Sequence, residues 1–394
     1  MNIALTCPAS LPATQFGGIL FLSLDIAKEL SKKDHKVTIY TTDLDFANNT
    51  NTFNKQLPRV EKVNGFTIKR THVFLKIYLY FVNPEMYNQI KDDKPEIIHA
   101  IGLRGFQAFV SALISKFNNI PLVISDQGGL YTHPDFKKQG AQSILYKLQE
   151  PIIKFVIKQA KKIIVANEYE YSIFSRYCDA SKLVLVRNGI DFDNLQTAPF
   201  DFKAKHGING RFLLFLGRFN KVKGIDLLLR SFSMVSKQSE FDDVKLVIMG
   251  ADFGYRNEMF KLIKELKIIN KIKIIEKPSR DEIISAYHAS DFLVLPSRWE
   301  MSPLTPLEAF ACKKTVVSTK AHGIPFVIEH EKNGILVEPE DVTGFSKSIS
   351  MLLLDKEKTI KLGENGYKLV KEVCNSKIMV NNILQVYKSI INSN

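Results

Sequence analysis

Short apolar runs alternate with longer amphipathic segments along most of the chain. Mostly aliphatic runs of the length of buried strands lie at 2–6, 37–41, 97–100, 122–125, 163–166 and 183–186, and again at 212–216, 244–250, 272–275, 292–296, 315–318 and 334–337. Segments with apolar residues at helical spacing lie between them, as at 19–31, 105–117 and 225–235. This alternation predicts doubly wound α/β structure with parallel sheets.

Length and composition indicate a globular protein of two domains. The chain has 394 residues, of which 45% are hydrophobic and 24% are charged. A single core rarely serves so long a chain, so we expect two domains of roughly 150 to 200 residues each. The four cysteines are widely scattered, which fits a reducing compartment and favours a cytoplasmic location.

The net charge of +13 admits nucleic acid, a membrane surface or a polyanionic substrate as partner. Nucleic acid is disfavoured because arginine and aromatic residues are not interleaved and no helix-turn-helix or zinc signature occurs. The start of the chain lacks a basic segment, and Pro8 and Pro12 interrupt it, so we interpret it as a strand and not a signal peptide. The longest apolar run, 73–82, holds Lys76 and is about half of the ~20 residues that a spanning helix needs.

The segment Ile144 to Lys162 carries five lysines against one glutamate. Its apolar residues at helical spacing are Leu145, Leu148, Ile152, Phe155 and Val156. We expect an amphipathic helix, broken or kinked near Pro151. Two interpretations remain: packing on the sheet with a solvated basic face, or docking on an anionic membrane surface.

A glycine pair and a second polar loop follow strands of the first half. Gly17 and Gly18 stand between the strand at 2–6 and the next helix, where they let backbone approach a ligand closely or merely relieve a tight turn. The sequence is not G-x-G-x-x-G, so the dinucleotide fingerprint is absent. The strand at 122–125 opens onto Asp126 and Gln127.

In the second half, Gly217 to Gly224 (GRFNKVKG) follows the strand at 212–216 and precedes a helix. Arg218 supplies a planar guanidinium and Lys223 a compact ammonium, both beside a helix N-terminus. This combination suits a diphosphate. The segment is not a Walker A loop. Taken alone, the segment favours two solvated basic side chains on a loop, whereas together with the Glu300 loop it favours a diphosphate site.

The stretch 292–312, FLVLPSRWEMSPLTPLEAFAC, predicts a buried strand, a tight loop with Glu300 and a helix with Glu308. The spacing of eight alone is a weak signal, since Glu364 and Glu372 repeat it in an ordinary polar helix. The strand, loop and proline-bounded helix together favour an anionic ligand such as a phosphate at the helix N-terminus.

The motif PSRWEMSPLTPLEA resembles the signature PS-x-x-E-x-F-G-x-x-x-x-E-A of family four of the retaining glycosyltransferases. Ser302 and Pro303 replace the Phe and Gly of that signature. The resemblance implies the GT-B fold, in which two doubly wound Rossmann-like domains face each other across a cleft. It also implies transfer of a sugar from a UDP- or GDP-sugar to an acceptor hydroxyl.

The resemblance implies a role for each matching residue. Catalytic roles fall to Glu300, which would contact the donor sugar, and to Arg218 and Lys223, which would bind the diphosphate. Glu308 would bind the ribose, and the family places a histidine that contacts the donor sugar where this chain has Gln127. The remaining predicted donor-binding residues are Gly17 and Gly18 in the first domain, Glu276, Lys277 and Pro278 near the nucleobase, and the backbone of Ser302, Pro303 and Leu304 near the phosphates. The sequence offers no evident metal cluster, so neither a metal nor another cofactor is expected.

The family has a similar N-G-I-D at its domain junction, which places the boundary after Asn188. We therefore expect domains at 1–188 and 189–375, with a C-terminal helix at 376–394 that packs back on the first. Expected partners are a nucleotide-sugar and a lipid-linked or saccharide acceptor of cell-surface glycan synthesis. A third expected partner is the inner face of an anionic cell membrane, contacted through residues 144–162. Two alternatives stay open: a nucleotide-sugar epimerase of the same fold, and a non-catalytic nucleotide-sugar-binding protein.

Overall fold

The computed structural model describes residues 1–46, 52–77, 80–128, 130, 132 and 141–392, with only the backbone described for 52 and 141–147. The chain forms two compact units. The first comprises Met1–Asn188 with Ser376–Asn394, and the second comprises Gly189–Asn375.

The first unit is built on a mostly parallel sheet. Its strands are β1 (Asn2–Thr6), β2 (Lys36–Thr42), β3 (Leu44–Asp45), β4 (Thr52–Phe53), β5 (Val60–Val63), β6 (Phe66–Thr71), β7 (Leu75–Ile77), β8 (Tyr80–Val82), β9 (Ile97–Ile101), β10 (Leu122–Ser125), β11 (Lys162–Val165) and β12 (Leu183–Leu185). Among the described residues, eight strands form one sheet in the order β12-β11-β10-β9-β1-β2-β6-β5, with only β5 antiparallel to its neighbour. The pairs β3-β4 and β7-β8 are separate antiparallel ribbons.

Helices connect these strands as a doubly wound sheet requires. They are α1 (Gly18–Ser31), α2 (Met86–Asp93), α3 (Phe106–Asn118), α4 (Ala141–Gln159) and α5 (Glu168–Phe174). The side chain of Asn167 caps α5 by accepting a hydrogen bond from the backbone N–H of Glu170 at 2.9 Å.

The second unit has a six-stranded, wholly parallel sheet among the described residues. Its strands are β13 (Phe212–Leu216), β14 (Lys245–Gly250), β15 (Ile272–Glu276), β16 (Leu293–Leu295), β17 (Val316–Thr319) and β18 (Gly334–Val337), in the order β15-β14-β13-β16-β17-β18. Its helices are α6 (Phe202–His206), α7 (Ile225–Val235), α8 (Arg256–Glu265), α9 (Arg280–Ala289), α10 (Leu304–Ala311), α11 (Val342–Leu354) and α12 (Lys356–Glu372).

The strand β13 shows why the central strands appear as continuous apolar runs. Leu213 and Phe215 pack into the apolar cluster on one side of the sheet, whereas Phe212, Leu214 and Leu216 pack into the cluster on the other. A parallel strand covered on both faces has no solvent side, so every position is apolar.

The last helix, α13 (Ser376–Ile391), belongs to the first unit. Its Tyr387 hydroxyl hydrogen-bonds the Nδ1 of His99 at 2.7 Å, and the Nε2 of His99 contacts the hydroxyl of Ser125 at 2.8 Å. Burial lowers the pKa of His99 to about 3, so the ring is neutral and acts as a structural bridge.

Two local expectations are wrong. The segment expected to be a polar linker up to about residue 211 contains α6, and Leu195, Phe202 and Ile208 are buried in the second unit. The helix α4 runs through Pro151 without the break that was one of the two forms expected, and its buried residues among those with described side chains are Ile153, Val156 and Ile157. Leu148 of the expected stripe is exposed, Ile152 and Phe155 are half-buried, and the side chain of Leu145 lies outside the described residues.

No helix in the described part of the chain is both long enough and apolar enough to span a bilayer.

Candidate functional site

The predicted donor-site residues of the second unit lie on loops at the carboxyl ends of its strands. From β13 the chain passes outward to β14 and β15 and then returns to β16 on the other side of β13. Such a switch point opens a crevice at the carboxyl edge of the sheet, where ligands of open α/β folds bind. The loops after β13 and β16 carry Arg218, Lys223 and Glu300.

Lys223 and Glu300 form an ion pair at this edge. The Lys223 ammonium donates to Oε1 of Glu300, and the hydroxyl of Ser297 donates to the same oxygen at 3.0 Å. Glu300 is buried, and the side chain of Lys223 is mostly buried. Two donors on one carboxylate oxygen fix the orientation of Glu300 before any ligand arrives.

Arg218 lies in the electrostatic range of the same carboxylate. Burial lowers the pKa of the Arg218 guanidinium, and the nearby charge of Glu300 opposes that shift. The guanidinium carbon lies 5.1 Å from the ring centroid of Phe253, a cation–π geometry. Two cations, Arg218 and Lys223, thus stand near one carboxylate, which leaves a surplus positive charge for an anionic ligand.

A second arginine, Arg298, joins the two loops. Its Nη1 and Nη2 donate to the two carboxylate oxygens of Asp226 at 2.7 and 2.8 Å, and its Nε donates to Glu340 at 2.6 Å. Nη1 also donates to the carbonyl of Lys221, and the backbone N–H of Arg298 donates to the carbonyl of Val222, both at 2.8 Å. Through these hydrogen bonds, Arg298 connects the turn that carries Lys223 to the loop that carries Glu300.

Two glycines allow backbone segments around the site to approach each other closely. Gly224 has φ +67°, and a Cβ atom there would lie 2.0 Å from the carbonyl oxygen of Pro296. A Cβ atom on Gly323 would lie 1.6 Å from the carbonyl oxygen of Met301. The N–H of Gly323 donates to the carbonyl of Glu300 at 3.0 Å, so this approach also holds the Glu300 loop.

Glu308 lies on α10 with partners of its own. It is buried, and it accepts a 2.6 Å hydrogen bond from Nη1 of Arg280 and a 3.0 Å bond from the hydroxyl of Tyr287. Burial, together with the charge of Glu308, raises the pKa of Tyr287 well above its usual value, so its hydroxyl remains a donor. Glu308 is therefore held as an oriented carboxylate.

The remaining predicted donor-binding positions of this unit lie at strand and helix ends. Glu276 ends β15 and accepts a 2.7 Å hydrogen bond from Nε of Arg256. Lys277 has φ +51°, and its N–H donates to the carbonyl of Gly250 at 2.7 Å, which turns the chain sharply before Pro278.

Ser302, Pro303 and Leu304 form the entrance to α10. Pro303 is the N-cap residue, and Leu304 is the first helical residue. Proline has no side-chain acceptor, so it cannot satisfy the first-turn N–H groups as Ser or Asp would. This helix start therefore suits an anion.

In the first unit, the structure places the glycine pair and Gln127 on separate loops. Gly17 has φ +100° and caps α1, and Gly18 is its exposed first residue. Gln127 has φ +57°, and its amide pairs reciprocally with that of Asn188, at 3.0 and 2.9 Å. The loops that follow β10 and β12 are thereby joined.

A buried carboxyl group lies within electrostatic range of Asp126, the residue before Gln127. Glu170 is fully buried, and its Oε2 accepts a 2.5 Å hydrogen bond from the N–H of Ala166. Burial raises the pKa of Glu170 to about 8, and the nearby charge of Asp126 adds to the shift. Glu170 is therefore largely protonated at neutral pH.

Sequence reasoning missed the residues that support the site: Asp226, Ser297, Arg298, Tyr287, Arg280 and Gly323. A weak signal existed for Asp226, an acidic residue in the first turn of a helix that follows a basic turn. No local pattern indicated the partners of Arg298, because they are distant in sequence. Within the described residues, no group of three or more His, Cys, Asp or Glu residues is arranged to hold a metal ion.

Comparison with known proteins confirms the predicted fold class and family. Residues 199–369 match the model of "Glycosyl transferases group 1", and residues 16–194 match that of "Glycosyltransferase Family 4". An uncharacterized glycosyltransferase of Methanocaldococcus jannaschii is 26% identical over 96% of this chain and 95% of its own. Among solved structures, sucrose-phosphate synthase from Thermosynechococcus elongatus has a TM-score of 0.83 at 19% identity over the whole of both chains. Anabaena HepE in complex with UDP-glucose has a TM-score of 0.78 at 20% identity over 99% of this chain and 100% of its own. The chain belongs to the family 4 glycosyltransferases (group 1), which have the GT-B fold of two Rossmann-like domains.

Proposed function

We propose that the protein transfers a sugar from a nucleoside diphosphate sugar to an acceptor hydroxyl with retention of anomeric configuration. The observation that carries the proposal is the Lys223–Glu300 ion pair, with Arg218 beside it, at the switch point of the second sheet. In the reaction, the acceptor oxygen bonds to the anomeric carbon, and the bond from that carbon to the diphosphate oxygen breaks with its electron pair left on the departing nucleoside diphosphate. The proton of the acceptor hydroxyl passes to that diphosphate or to water. The donor is a UDP- or GDP-sugar, and the UDP-glucose bound to the similar Anabaena HepE supports this class.

Arg218 and Lys223 stabilise the negative charge that develops on the departing diphosphate. Preorganised donors aimed at developing charge are usually the largest catalytic effect. An ammonium has three N–H donors, so Lys223 can hold Glu300 and a phosphate oxygen together. Arg218 adds a planar fork, and the start of α10 adds N–H groups from Ser302 to Leu304. This charge set supports transfer without a metal ion or other cofactor.

The two glutamates act on different parts of the donor. Glu300, oriented by Lys223 and Ser297, contacts the donor sugar. Glu308, oriented by Arg280 and Tyr287, accepts hydrogen bonds from the ribose hydroxyls.

Further donor contacts extend to the nucleobase and the first unit. The turn of Glu276, Lys277 and Pro278 borders the base. The donor-binding positions that we propose in the first unit are Gly17, Gly18 and Gln127.

A panel of nucleotide-sugars, incubated without acceptor, tests this function. Slow release of free nucleoside diphosphate is expected from a transferase. An isomerised sugar would instead identify an epimerase, and no turnover would identify a binding protein. Glu300→Gln should lower turnover far more than affinity for the bare nucleoside diphosphate, which lacks the sugar. Glu364→Gln, at the exposed glutamate of the other E-x7-E pair, is the matched control and should behave as wild type.

The acceptor is a lipid-linked or saccharide precursor of a cell-surface glycan, used at the inner face of the membrane. Support comes from α4 and the residues after it, where Lys154, Lys158 and Lys161 are exposed and Leu148 is exposed as well. Each basic residue near an anionic surface contributes about 1 kcal/mol. Changing these three lysines to glutamate should abolish sedimentation with anionic vesicles, and unchanged sedimentation would leave α4 a packing helix only.

A further inference from the structure

An apolar strand edge in the first unit has no covering in the described chain. Phe74 is 82% exposed, Leu75 is 48% exposed and Ile77 is 39% exposed. Side chains of a strand alternate between two faces, so one face of a strand is normally buried. In β7 all three residues are exposed, and among the described residues its strand partner is β8 alone. Contiguous apolar exposure of this kind marks an interaction surface.

Packing and hydrogen bonds hold β8, and through it the residue before β7, in the first unit. Phe81 of β8 is fully buried and makes an edge-to-face contact with Phe53 at 5.2 Å between ring centroids. Nε2 of Gln107 donates to the carbonyl of Phe81 at 3.0 Å and to Oδ1 of Asn83 at 2.8 Å. The backbone N–H of Phe74 donates to the carbonyl of Val82 at 2.8 Å.

The anchor of this ribbon is shared with the glycine loop. Val73 and Phe81 pack in one apolar cluster with residues on either side of the Gly17–Gly18 pair: Ala9, Ala13 and Leu20. The ring of Phe16, directly before Gly17, lies 6.3 Å from the ring of Phe81. A partner that covers Phe74, Leu75 and Ile77 would therefore lie close to the Gly17–Gly18 loop of the proposed donor site.

The charge around the ribbon indicates what that covering is. Two exposed basic residues accompany it: Lys76 within β7 itself, and Lys55 two residues after Phe53, whose ring contacts Phe81 of β8. Against them stands the exposed Glu85, three residues after β8. An apolar edge set among basic side chains is complementary to anionic headgroups above acyl chains.

The ribbon is also joined to the basic helix α4. Rings lie in a row from Tyr80 of β8 through Phe106 and Phe109 of α3 to Phe155 of α4, with centroids 6.0 to 6.1 Å apart. The ribbon and α4 are thus connected through α3 by aromatic contacts within the first unit.

We infer that Phe74, Leu75 and Ile77 form an insertion edge that docks the first unit on an anionic membrane. Lys55 and Lys76 contact the headgroups. The inference deepens the proposed membrane association, yet it requires neither the transfer reaction nor the lysines of α4. Failure of the insertion edge can therefore be distinguished from failure of the proposed transfer reaction or of the proposed role of the α4 lysines.

Sedimentation of the full chain with vesicles tests the insertion edge. The variant Phe74→Ser/Ile77→Ser should lower the apparent partition coefficient on phosphatidylglycerol/phosphatidylcholine vesicles at least tenfold. The matched control is Leu354→Ser/Ile360→Ser, which changes two exposed apolar residues of the second unit and should stay within twofold of wild type. Release of nucleoside diphosphate in solution should be the same in all three proteins, since none of these residues is placed at the donor site.

A second measurement reports insertion directly. Phe74→Trp places an indole at the most exposed position of the edge, and the emission of that indole should shift to the blue with anionic vesicles but not with phosphatidylcholine alone. Unchanged sedimentation of the double variant, or an unshifted indole emission from Phe74→Trp, would overturn the inference. Light scattering that shows a dimer for the wild type and a monomer for the double variant would also overturn the inference, because a second copy of the chain would then cover this edge.

Discussion

The Arg298–Asp226 pair offers the sharpest test of how the donor site is held together. The two side chains keep only 22% and 23% of their exposed area, and the two hydrogen bonds are 2.7 and 2.8 Å long. Hydrogen bonds to charged groups contribute about 1.5 to 3 kcal/mol each when buried, and partial exposure reduces this. Asp226→Asn should therefore lower the free energy of unfolding of the second unit by about 2 kcal/mol. For a unit of this size, that loss corresponds to a fall in Tm of roughly 4 to 8 °C.

The pH dependence follows from the pKa of Asp226. Burial alone raises this pKa, but the hydrogen bonds and charge of Arg298 outweigh burial and hold it below its usual value. The carboxylate therefore contributes stability in full above its unfolded pKa of about 3.9, and this is lost as the pH falls through the folded value. The difference in Tm between wild type and Asp226→Asn should be constant from about pH 7 to pH 5 and shrink below about pH 4.

A matched control exists in the same unit. The guanidinium of Arg211 donates hydrogen bonds of 2.7 to 3.2 Å to both carboxylate oxygens of Asp243, as Arg298 does to Asp226. However, the side chains of Arg211 and Asp243 are 33% and 46% exposed. Asp243→Asn should cost less than about 1 kcal/mol, the usual limit for exposed pairs. Equal Tm losses in the two variants, or turnover by Asp226→Asn equal to wild type, would refute the reasoning that Arg298 positions Lys223.

Three further predictions concern the charges and backbone of the site. Arg218→Ala and Lys223→Ala should each lower kcat ~10²-fold or more, less than additively, with turnover indifferent to EDTA; activity restored by magnesium after EDTA would contradict this assignment. Glu308→Ala should weaken nucleoside diphosphate binding by about one to two decades in calorimetry, and equal affinity would exclude the ribose role. Gly323→Ala should lower stability by about 1 to 3 kcal/mol in thermal unfolding, because its Cβ would overlap the carbonyl of Met301.

The central strands were predictable from sequence because burial on both faces leaves a continuous apolar run. The bounds expected for β1, β13 and β18 agree with the observed ones. Elements at the periphery were not predictable in the same way. The short helix α6 depends on the burial of Phe202 and Ile208 in the second unit, and α2 is a mostly polar segment with Met86 and Ile90 buried. Such elements are fixed by tertiary contacts that a local pattern does not encode.

The site was predictable where it depends on strand ends and not where it depends on long-range pairing. Arg218, Lys223 and Glu300 follow neighbouring parallel strands, so sheet topology alone brings their loops together. The roles of Arg298 could not be inferred, because its partners Asp226 and Glu340 lie 72 and 42 residues away in sequence. The contacts that hold the site therefore include residues that the motif does not contain.

Gln127 departs from the family pattern, and its side chain is paired within its own unit. A histidine ring could make only one hydrogen bond to Asn188, whereas the carboxamide donates and accepts at once and forms the reciprocal pair at 3.0 and 2.9 Å. The amide also does not titrate, so a donor contact from this position is independent of pH. A histidine there would change charge near about pH 6.5. Activity that rises or falls with a single proton near that pH must therefore arise from another group, and Glu170, with a pKa raised to about 8, would place its own transition above neutrality.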